Sequence, residues 1–262
     1  MKIDLPEPLK HVRDRSIYRI TKPGKYGIIS DLHVPYHCKE SLETACEDFR
    51  ANKITGLIIL GDLADMHAIS RYQRDPSKRK LVKELDIVNK VLGKFREYFG
   101  PHVNIYFKEG NHDERLYSYI SEKAPEFEDI PGLSIKKLYG LDEHNIQYIA
   151  SKRVMSLGKL LMIHGHEYRQ SQSTPVGAAR WLYLKGGTTA ICGHFHATSQ
   201  FNFTRLDNRS VTTWSLGCMC QMDPDFAVKN GWNHGYAIVN LNTNGCFELT
   251  NKNLNTDGHK YA

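Results

Sequence analysis

Polar side chains with metal-binding or acid–base chemistry follow several short apolar runs of the sequence. The clearest case is Gly110-Asn111-His112-Asp113, directly after the apolar run 103–107. Glycine allows an unusual backbone angle and close approach, asparagine offers a neutral amide oxygen, and histidine titrates near physiological pH. Turns also use Asn, Asp and Gly for conformational reasons alone. The tetrapeptide therefore indicates a site only if other parts of the chain supply partners.

Four further apolar runs end in the same way. Their terminal polar residues are Asp31 with His33, Asp62, His164, and His194 with His196. One such strand end is commonly structural, but five in succession are hard to obtain from turn chemistry alone. The set combines carboxylates, an amide oxygen and imidazoles without a thiolate, which favours ions such as manganese, iron, zinc or nickel over a structural cysteine–zinc site.

The number of candidate ligands indicates two metal ions. Seven side chains are too many for one ion that must keep an open position, so two ions that share one carboxylate fit better. Two such ions, about 3.5–4 Å apart, stabilise the attacking and leaving oxygens of an in-line displacement and hold a hydroxide between them at neutral pH. The residues therefore predict a dinuclear centre, for which manganese is favoured.

Alternating strands and helices must bring these residues together. Apolar runs predict strands at 25–31, 56–62 and 103–107, and the segments between them have helical character. A long helix is predicted to begin at Asp75, with apolar residues at spacings of three and four as far as Phe99. This order favours crossover units and a largely parallel sheet, whose carboxyl strand ends commonly bind ligands.

The second half of the chain is richer in strands. Its predicted strands are 159–164, 188–192, 198–206, 210–217, 234–241 and 245–250. Asp207-Asn208 and Asn244-Gly245 predict hairpin turns. Because neither an internal repeat nor a low-complexity linker separates the halves, one domain is predicted over 25–252. An N-terminal arm over 1–24 and a polar C-terminal tail over 253–262 flank it.

Composition describes an ordinary globular protein. The chain has 262 residues, of which 40% are hydrophobic and 24% charged. No apolar run approaches the roughly 20 residues of a bilayer span, and the charged segment 1–22 lacks the apolar core of a secretory signal. Six cysteines without a C-x-x-C pair predict free thiols in a reducing cytoplasm. The net charge of +6 permits a polyanionic partner.

Five motifs occur in the order used by the calcineurin-like metallophosphoesterases. They are Asp31-Leu-His33, Gly61-Asp62, Gly110-Asn111-His112-Asp113, His164-Gly-His166 and Gly193-His194-Phe-His196. The chain therefore resembles this family over residues 25–196. The resemblance implies an α/β fold, a four-layer α/β/β/α sandwich of two facing mixed sheets with the metal site at the strand ends.

The resemblance also implies roles for individual residues. The implied ligands are Asp31, His33 and His196 for one ion and Asn111, His164 and His194 for the other, with Asp62 as the bridge. His112 takes the general-acid role, and Asp113 orients it. His166 falls in the shell around the metals and is a candidate substrate contact.

Two features bear on the substrate. The Gly-His-Phe-His spacing and the Asp of Gly-Asn-His-Asp resemble the phosphodiesterase and repair-nuclease branches more than the protein phosphatases. A basic run at 71–80 follows the Asp62 strand end, and Arg71 within it and Arg115 beside the catalytic turn are candidate phosphate contacts. A solvated helix end is the alternative interpretation of the basic run.

The sequence thus predicts a metal-dependent phosphoester hydrolase, with a phosphodiesterase favoured and DNA, RNA or a nucleotide as candidate substrates. A hydroxide between the metals attacks in line, and His112 protonates the leaving oxygen. A phosphomonoesterase, a protein phosphatase and a non-catalytic scaffold on the same fold are alternatives. The intact His112 and the full set of ligands favour an enzyme over a scaffold.

Overall fold

Two six-stranded sheets form the centre of the protein. A computed structural model describes residues 16–71, 80–168, 177–223 and 230–254. Its strands are β1 (Tyr18–Ile20), β2 (Gly24–Ile29), β3 (Gly56–Leu60), β4 (Asn104–Lys108), β5 (Ile146–Ile149), β6 (Met155–Leu157), β7 (Leu160–Ile163), β8 (Ala190–Cys192), β9 (Ser199–Thr204), β10 (Ser210–Ser215), β11 (His234–Leu241) and β12 (Phe247–Leu254). Its α-helices are α1 (Lys39–Ala51), α2 (Leu81–Phe99), α3 (Arg115–Lys123), α4 (Ile135–Leu138) and α5 (Ala178–Gly186).

The first sheet has the order β12-β11-β2-β3-β4-β5. Strands β2 to β5 are parallel to one another, and β11 pairs with β2 antiparallel. The second sheet has the order β1-β6-β7-β8-β10-β9 and is also mixed, because β6–β7 and β9–β10 are antiparallel and the other pairs parallel. The hairpin between β9 and β10 turns at Asn208, which has a positive φ of 61°.

Three apolar clusters divide the structure into four layers. Ile29 and Ile59 on one face of the first sheet pack in a cluster that includes residues of α1 and α2. Ile28 and Ile58, on the opposite face, pack with residues of the second sheet. Trp181 of α5 belongs to a third cluster with strand residues of that sheet. Because both faces of β2 and β3 are covered, their sequences are continuous apolar runs without alternating polar residues. The predicted four-layer α/β/β/α sandwich is confirmed.

Helix α2 owes its position to one apolar stripe. Val88, Leu92 and Phe95 are its buried apolar residues, at spacings of four and three, and Val82 on another face is 82% exposed. This arrangement buries one side of the helix against the first sheet. The predicted start of the helix at Asp75 lies outside the described residues.

Three short strands differ from the expected pattern. Strand β1 lies within the segment predicted as an N-terminal arm, and it pairs in parallel with β6. Tyr18–Ile20, within the predicted arm, is thus part of the second sheet. Strands β5 and β6 carry four and three residues, too few for a periodic pattern. The tail residues 255–262 lie outside the described part.

Two composition-based expectations have structural counterparts. All six cysteines are free thiols. Within the described ranges, the helices lack the combined length and apolar character of a membrane span.

Candidate metal centre

The predicted ligands from both sheets meet at one edge of the sandwich. Asp31, Asp62 and Asn111 follow β2, β3 and β4 of the first sheet, whereas His164 and His194 follow β7 and β8 of the second. The backbone N–H of His194 donates to both oxygens of Asp31, at 2.9 and 3.2 Å. The strand ends of the two sheets are therefore in direct contact, as expected for ligands at the carboxyl ends of neighbouring parallel strands.

The backbone is strained where it presents the ligands. Positive φ values between 48° and 69° occur at Asp31, His33, Asp62, His194 and His196. Residues other than glycine rarely adopt this region, and each instance costs on the order of 1–3 kcal/mol. Five such residues at one place indicate a site whose geometry is imposed by the surrounding fold.

Glycines let the strand ends approach each other. A Cβ atom on Gly110 would overlap the Asp62 carboxylate, and one on Gly193 would overlap the Ser30 hydroxyl and lie 2.8 Å from Asp31 Oδ2. These two glycines of the Gly-Asn-His-Asp and Gly-His-Phe-His motifs therefore leave space for carboxylates of neighbouring strand ends.

The first ligand set groups His33, His196 and Asp31. The Nε2 atoms of the two histidines lie 3.2 Å apart, and His196 Nε2 lies 3.2 Å from Asp31 Oδ1. His33 Nε2 lies 4.0 Å from that oxygen and 3.7 Å from Asp62 Oδ2. The other nitrogen of His33, Nδ1, contacts Asp65 at 3.1 Å. A proton on Nδ1 leaves the Nε2 lone pair directed at the carboxylates, as a metal ligand requires.

The second set is built around Asp62 and His164. His164 Nδ1 donates to the Leu60 carbonyl at 2.8 Å, and its Nε2 lies 3.2 Å from Asp62 Oδ2. Asp62, His164 and His194 offer ligand atoms that all lie within 4.8 Å of one another. Asp62 Oδ2 therefore faces ring nitrogens of both sets.

The donor atoms fit divalent cations. His164 Nε2 is fully buried and lacks a partner with hydrogen-bond geometry among the described residues, and the same holds for Asn111 Oδ1. A buried polar atom without a partner is costly. Two facing imidazole nitrogens beside two buried carboxylates make an oxygen and nitrogen donor set that suits such ions.

Charge compensation governs ionisation at the centre. Burial would raise the pKa of Asp62, but His164 and His112 outweigh burial and hold the pKa well below its usual value. Burial would lower the pKa of His164, but Asp62 and Asp31 raise it to about 10. Burial and the neighbouring His164 lower the pKa of His194 to about 4. The negative charges of Asp62 and Asp31 favour a proton on His164. The same charges favour a metal cation at this place.

His112 lies beside both sets. Its Nε2 is 4.0 Å from Asp62 Oδ2, and its backbone N–H donates to Asp62 Oδ1 at 2.8 Å. Its Nδ1 lies 3.2 Å from the Asp65 carboxylate and 3.0 Å from the Asp65 carbonyl. The Arg115 guanidinium donates to His112 Nε2 at 2.9 Å and to the Asp65 carbonyl at 2.7 Å. Arg115 thus contacts His112 directly.

The carboxylate that faces the His112 ring is Asp65, not Asp113. Asp113 accepts the Gly110 N–H at 2.8 Å, the Ala64 N–H at 3.3 Å and the Tyr139 hydroxyl at 2.8 Å. Burial and the Asp62 charge raise the pKa of Asp113 to about 6. Asp113, which was expected to orient His112, thus binds the backbone of the turn and the Tyr139 hydroxyl and not the His112 ring, and its role stays a prediction. The sequence contains one feature that could have pointed to Asp65: it is a second acidic residue, three positions after the predicted ligand Asp62.

The remaining predicted residues have different surroundings. His166 Nε2 contacts the Ser151 hydroxyl at 2.8 Å and Glu114 at 3.3 Å, and its ring centroid lies 5.4 Å from that of His164. His166 is therefore next to the ligands without joining either set. Arg71 is exposed, and residues 72–79 of the basic run lie outside the described part.

Two residues near His196 were not anticipated at the centre. Cys220 is buried, and its Sγ lies 3.9 Å from His196 Nδ1. The set of expected ligands contained no sulfur, whereas Cys220, His33 and His196 offer ligand atoms within 4.8 Å of one another. The Trp232 ring lies 4.2 Å from the His196 ring. Both contacts join segments distant in sequence.

Carboxylates and imidazoles, which the two sheets gather here, are ligand types that metal-dependent hydrolases use. Residues 24–208 match the family model described as calcineurin-like phosphoesterase, and the chain belongs to that family. The family resemblance predicted from the five motifs is confirmed. The family supports a phosphoester hydrolase, and the histidine–aspartate clusters at the strand ends could hold divalent ions.

Individual relatives are distant. The chain is similar to the Gene 54 protein of Mycobacterium phage L5, with 23% identity over 228 residues that cover 82% of this chain and 88% of that protein. Among solved structures, Vps29 of Chaetomium thermophilum is 9% identical, with a TM-score of 0.45 and coverage of 91% of this chain and 93% of that chain. Nuclease MPE of Pseudomonas putida is 14% identical, with a TM-score of 0.35 and coverage of 86% of each chain. The family assignment rests on the sequence match.

Proposed function

We propose that this chain is a phosphodiesterase that uses two divalent cations and acts on nucleic acid or nucleotides. The observation that carries the proposal is the position of Asp62 Oδ2, which faces ring nitrogens of both ligand sets and of His112. A shared carboxylate is what two neighbouring cations need, and an imidazole beside it can serve the leaving group.

The ligand assignment follows the two sets. The residues proposed to hold the cations are Asp31, His33 and His196 for the first and Asn111, His164 and His194 for the second, with Asp62 between them. When bound, cations of this kind would neutralise charge on phosphoryl oxygens and would lower the pKa of the attacking water. Manganese is the proposed ion.

His112 is proposed to protonate the leaving oxygen from Nε2. The Asp65 carboxylate at Nδ1 stabilises the protonated ring and keeps its orientation, because Nδ1 retains its own proton during the transfer. The Arg115 guanidinium now occupies Nε2. We propose that Arg115 leaves this nitrogen to contact the phosphate, which its planar donors suit.

The preference for a diester rests on the motif spacing. Gly193-His194-Phe195-His196 and the Asp of Gly110-Asn111-His112-Asp113 have the form seen in the phosphodiesterase and nuclease branches of the family. The test is turnover of bis(4-nitrophenyl) phosphate, of 4-nitrophenyl phosphate and of single-stranded DNA in the presence of Mn²⁺. Activity on the diester and DNA is expected, and activity on the monoester alone would contradict the proposal.

A leaving-group comparison tests His112. The His112→Ala variant should lose about 10²–10⁴-fold in kcat on single-stranded DNA, where an alkoxide must be protonated. It should lose far less on bis(4-nitrophenyl) phosphate, because 4-nitrophenolate leaves without a proton. His102→Ala removes an exposed histidine and should change neither rate. Equal losses on both substrates would show that His112 does not act as the acid.

A further inference from the structure

A buried ion pair joins the two halves of the centre. Lys108 is the last residue of β4, and its side chain is fully buried. Its Nζ lies 2.8 Å from Glu167 Oε1 and also donates to the Ser151 carbonyl. Glu167 lies in the segment after β7 and is 13% exposed. The pair therefore connects the first sheet to the second.

Glu167 holds the turn that carries His164. Its Oε1 accepts the His164 N–H at 3.0 Å, and its Oε2 accepts the Gly165 N–H at 2.7 Å. Two successive backbone donors and one ammonium group thus share a single carboxylate. This arrangement determines where the backbone of His164 lies relative to Lys108.

Lys108 in turn lies three residues before Asn111 on the same strand end. Asn111 Oδ1 and His164 Nε2 are proposed ligand atoms that are buried without a partner in hydrogen-bond geometry among the described residues. They come from different sheets, and no ladder joins β4 to β7 in the described structure. The side chains of Lys108 and Glu167 link the strand end before Asn111 to the backbone of the His164 turn.

Stability alone does not account for such a pair. Removing two charges from water is costly, and apolar residues of similar volume are often equally or more stabilising. A buried pair that also binds backbone donors of a ligand turn has a geometric consequence, because it sets a distance between two sheets.

We propose that the Lys108–Glu167 pair is a positioning device for the second cation site. It sets the separation of Asn111 from His164 and thereby the affinity of that site, and it leaves the first site, with Asp31, His33 and His196, unaffected. Neither residue contacts the reacting atoms. The inference rests on the proposed two-cation centre.

The test is a titration of metal-free protein with Mn²⁺, with free Mn²⁺ followed by electron paramagnetic resonance. The wild type should bind two ions per chain. Glu167→Gln keeps the side-chain shape but loses the charge, and it should weaken one site about 10–100-fold, the range for residues that support metal ligands. The other site should keep its affinity.

Asp48→Asn is the matched control. Asp48 forms a partly buried ion pair with Lys252, on α1 and β12, away from the ligand strand ends. Its loss should leave both Mn²⁺ affinities unchanged. Lys108→Arg keeps a cation beside Glu167 and should retain most of the affinity of both sites.

A second variant guards against misfolding. Replacing both residues, Lys108→Met with Glu167→Gln, removes both charges without leaving a lone buried charge and keeps an amide oxygen for the backbone N–H groups of the His164 turn. The doubly substituted protein should keep the thermal midpoint of the metal-free wild type within a few degrees and still bind the second ion weakly.

Unaltered binding of both ions by Glu167→Gln, or equal weakening of both sites, would overturn the positioning role alone. Binding of fewer than two ions by the wild type would overturn the two-cation proposal and the positioning role with it.

Discussion

Asp65 supports two histidines with different proposed tasks. Its carboxylate contacts Nδ1 of His33 at 3.1 Å and Nδ1 of His112 at 3.2 Å. Burial would raise the pKa of Asp65, but hydrogen bonds from His112 and His33 outweigh burial and hold the pKa below its usual range. An ionised carboxylate at Nδ1 fixes the tautomer and the orientation of each ring. We therefore expect Asp65 to act through His33 and His112 and not on the substrate.

Replacing Asp65 should affect both metal binding and turnover. Asp65→Asn keeps the size of the side chain but loses the charge, so both rings lose their orienting partner. We expect a loss of about 10–100-fold in kcat/KM or in Mn²⁺ affinity, measured by turnover of bis(4-nitrophenyl) phosphate and by Mn²⁺ titration. Asp86→Asn on the exposed face of α2 should leave both unchanged. If Asp65→Asn keeps the wild-type kcat/KM and Mn²⁺ affinity, Asp65 does not support the two histidine rings.

Helix α2 positions the segment that follows Asp62. Glu84 on this helix is 5% exposed, and its carboxylate accepts the backbone N–H of Met66. Met66 has a positive φ of 51°, so the helix holds a strained turn next to Asp65. Burial, more than any neighbouring charge, raises the pKa of Glu84 from 4.5 to about 8. The helix thus carries a carboxyl group that keeps its proton near neutral pH.

The shifted pKa of Glu84 should make stability depend on pH. Between pH 4.5 and about 8 the folded chain keeps a proton that the unfolded chain loses. The free energy of unfolding should therefore fall as pH rises through this window, by about 1.4 kcal/mol per pH unit at most. Glu84→Gln cannot ionise, and its urea midpoint should fall less between pH 5 and pH 8 than that of the wild type. Parallel midpoints over this range would contradict the pKa shift.

The whole molecule is two sheets whose ligands face each other. Asp31, Asp62 and Asn111 follow strands of the first sheet, and His164 and His194 follow strands of the second. A cation bound between them would connect the sheets in the folded chain only, since the unfolded chain does not gather these residues. Metal binding and folding should therefore be linked.

Metal removal should lower the thermal midpoint. At a hundredfold excess of Mn²⁺ over its dissociation constant, each independent site adds about 2.7 kcal/mol to the free energy of unfolding. We expect thermal unfolding in Mn²⁺ to occur several degrees higher than in a chelator. Asp62→Ala removes the shared carboxylate and should lose most of this difference. Identical midpoints for wild-type protein in Mn²⁺ and in chelator would contradict binding between the sheets.

Local sequence was sufficient for the elements that have a clear period or turn. The stripe of α2, the continuous apolar strands β2 and β3, and the β9–β10 hairpin could be predicted because each depends on neighbours along the chain. The polar residues after the strands could be predicted for the same reason. The short strands β1, β5 and β6 could not, since three or four residues carry no period and depend on the strand beside them.

What the sequence determined by itself was which residue types stand at the strand ends, and from these the family and the chemistry of the ligands. Tertiary structure decided which side chains meet. It placed Asp65 and not Asp113 against the His112 ring, brought Cys220 to His196, and paired Lys108 with Glu167. The physical reason is that these contacts depend on sheet register and on the packing of one sheet against the other. Residues that are far apart along the chain become neighbours only when both sheets are in place.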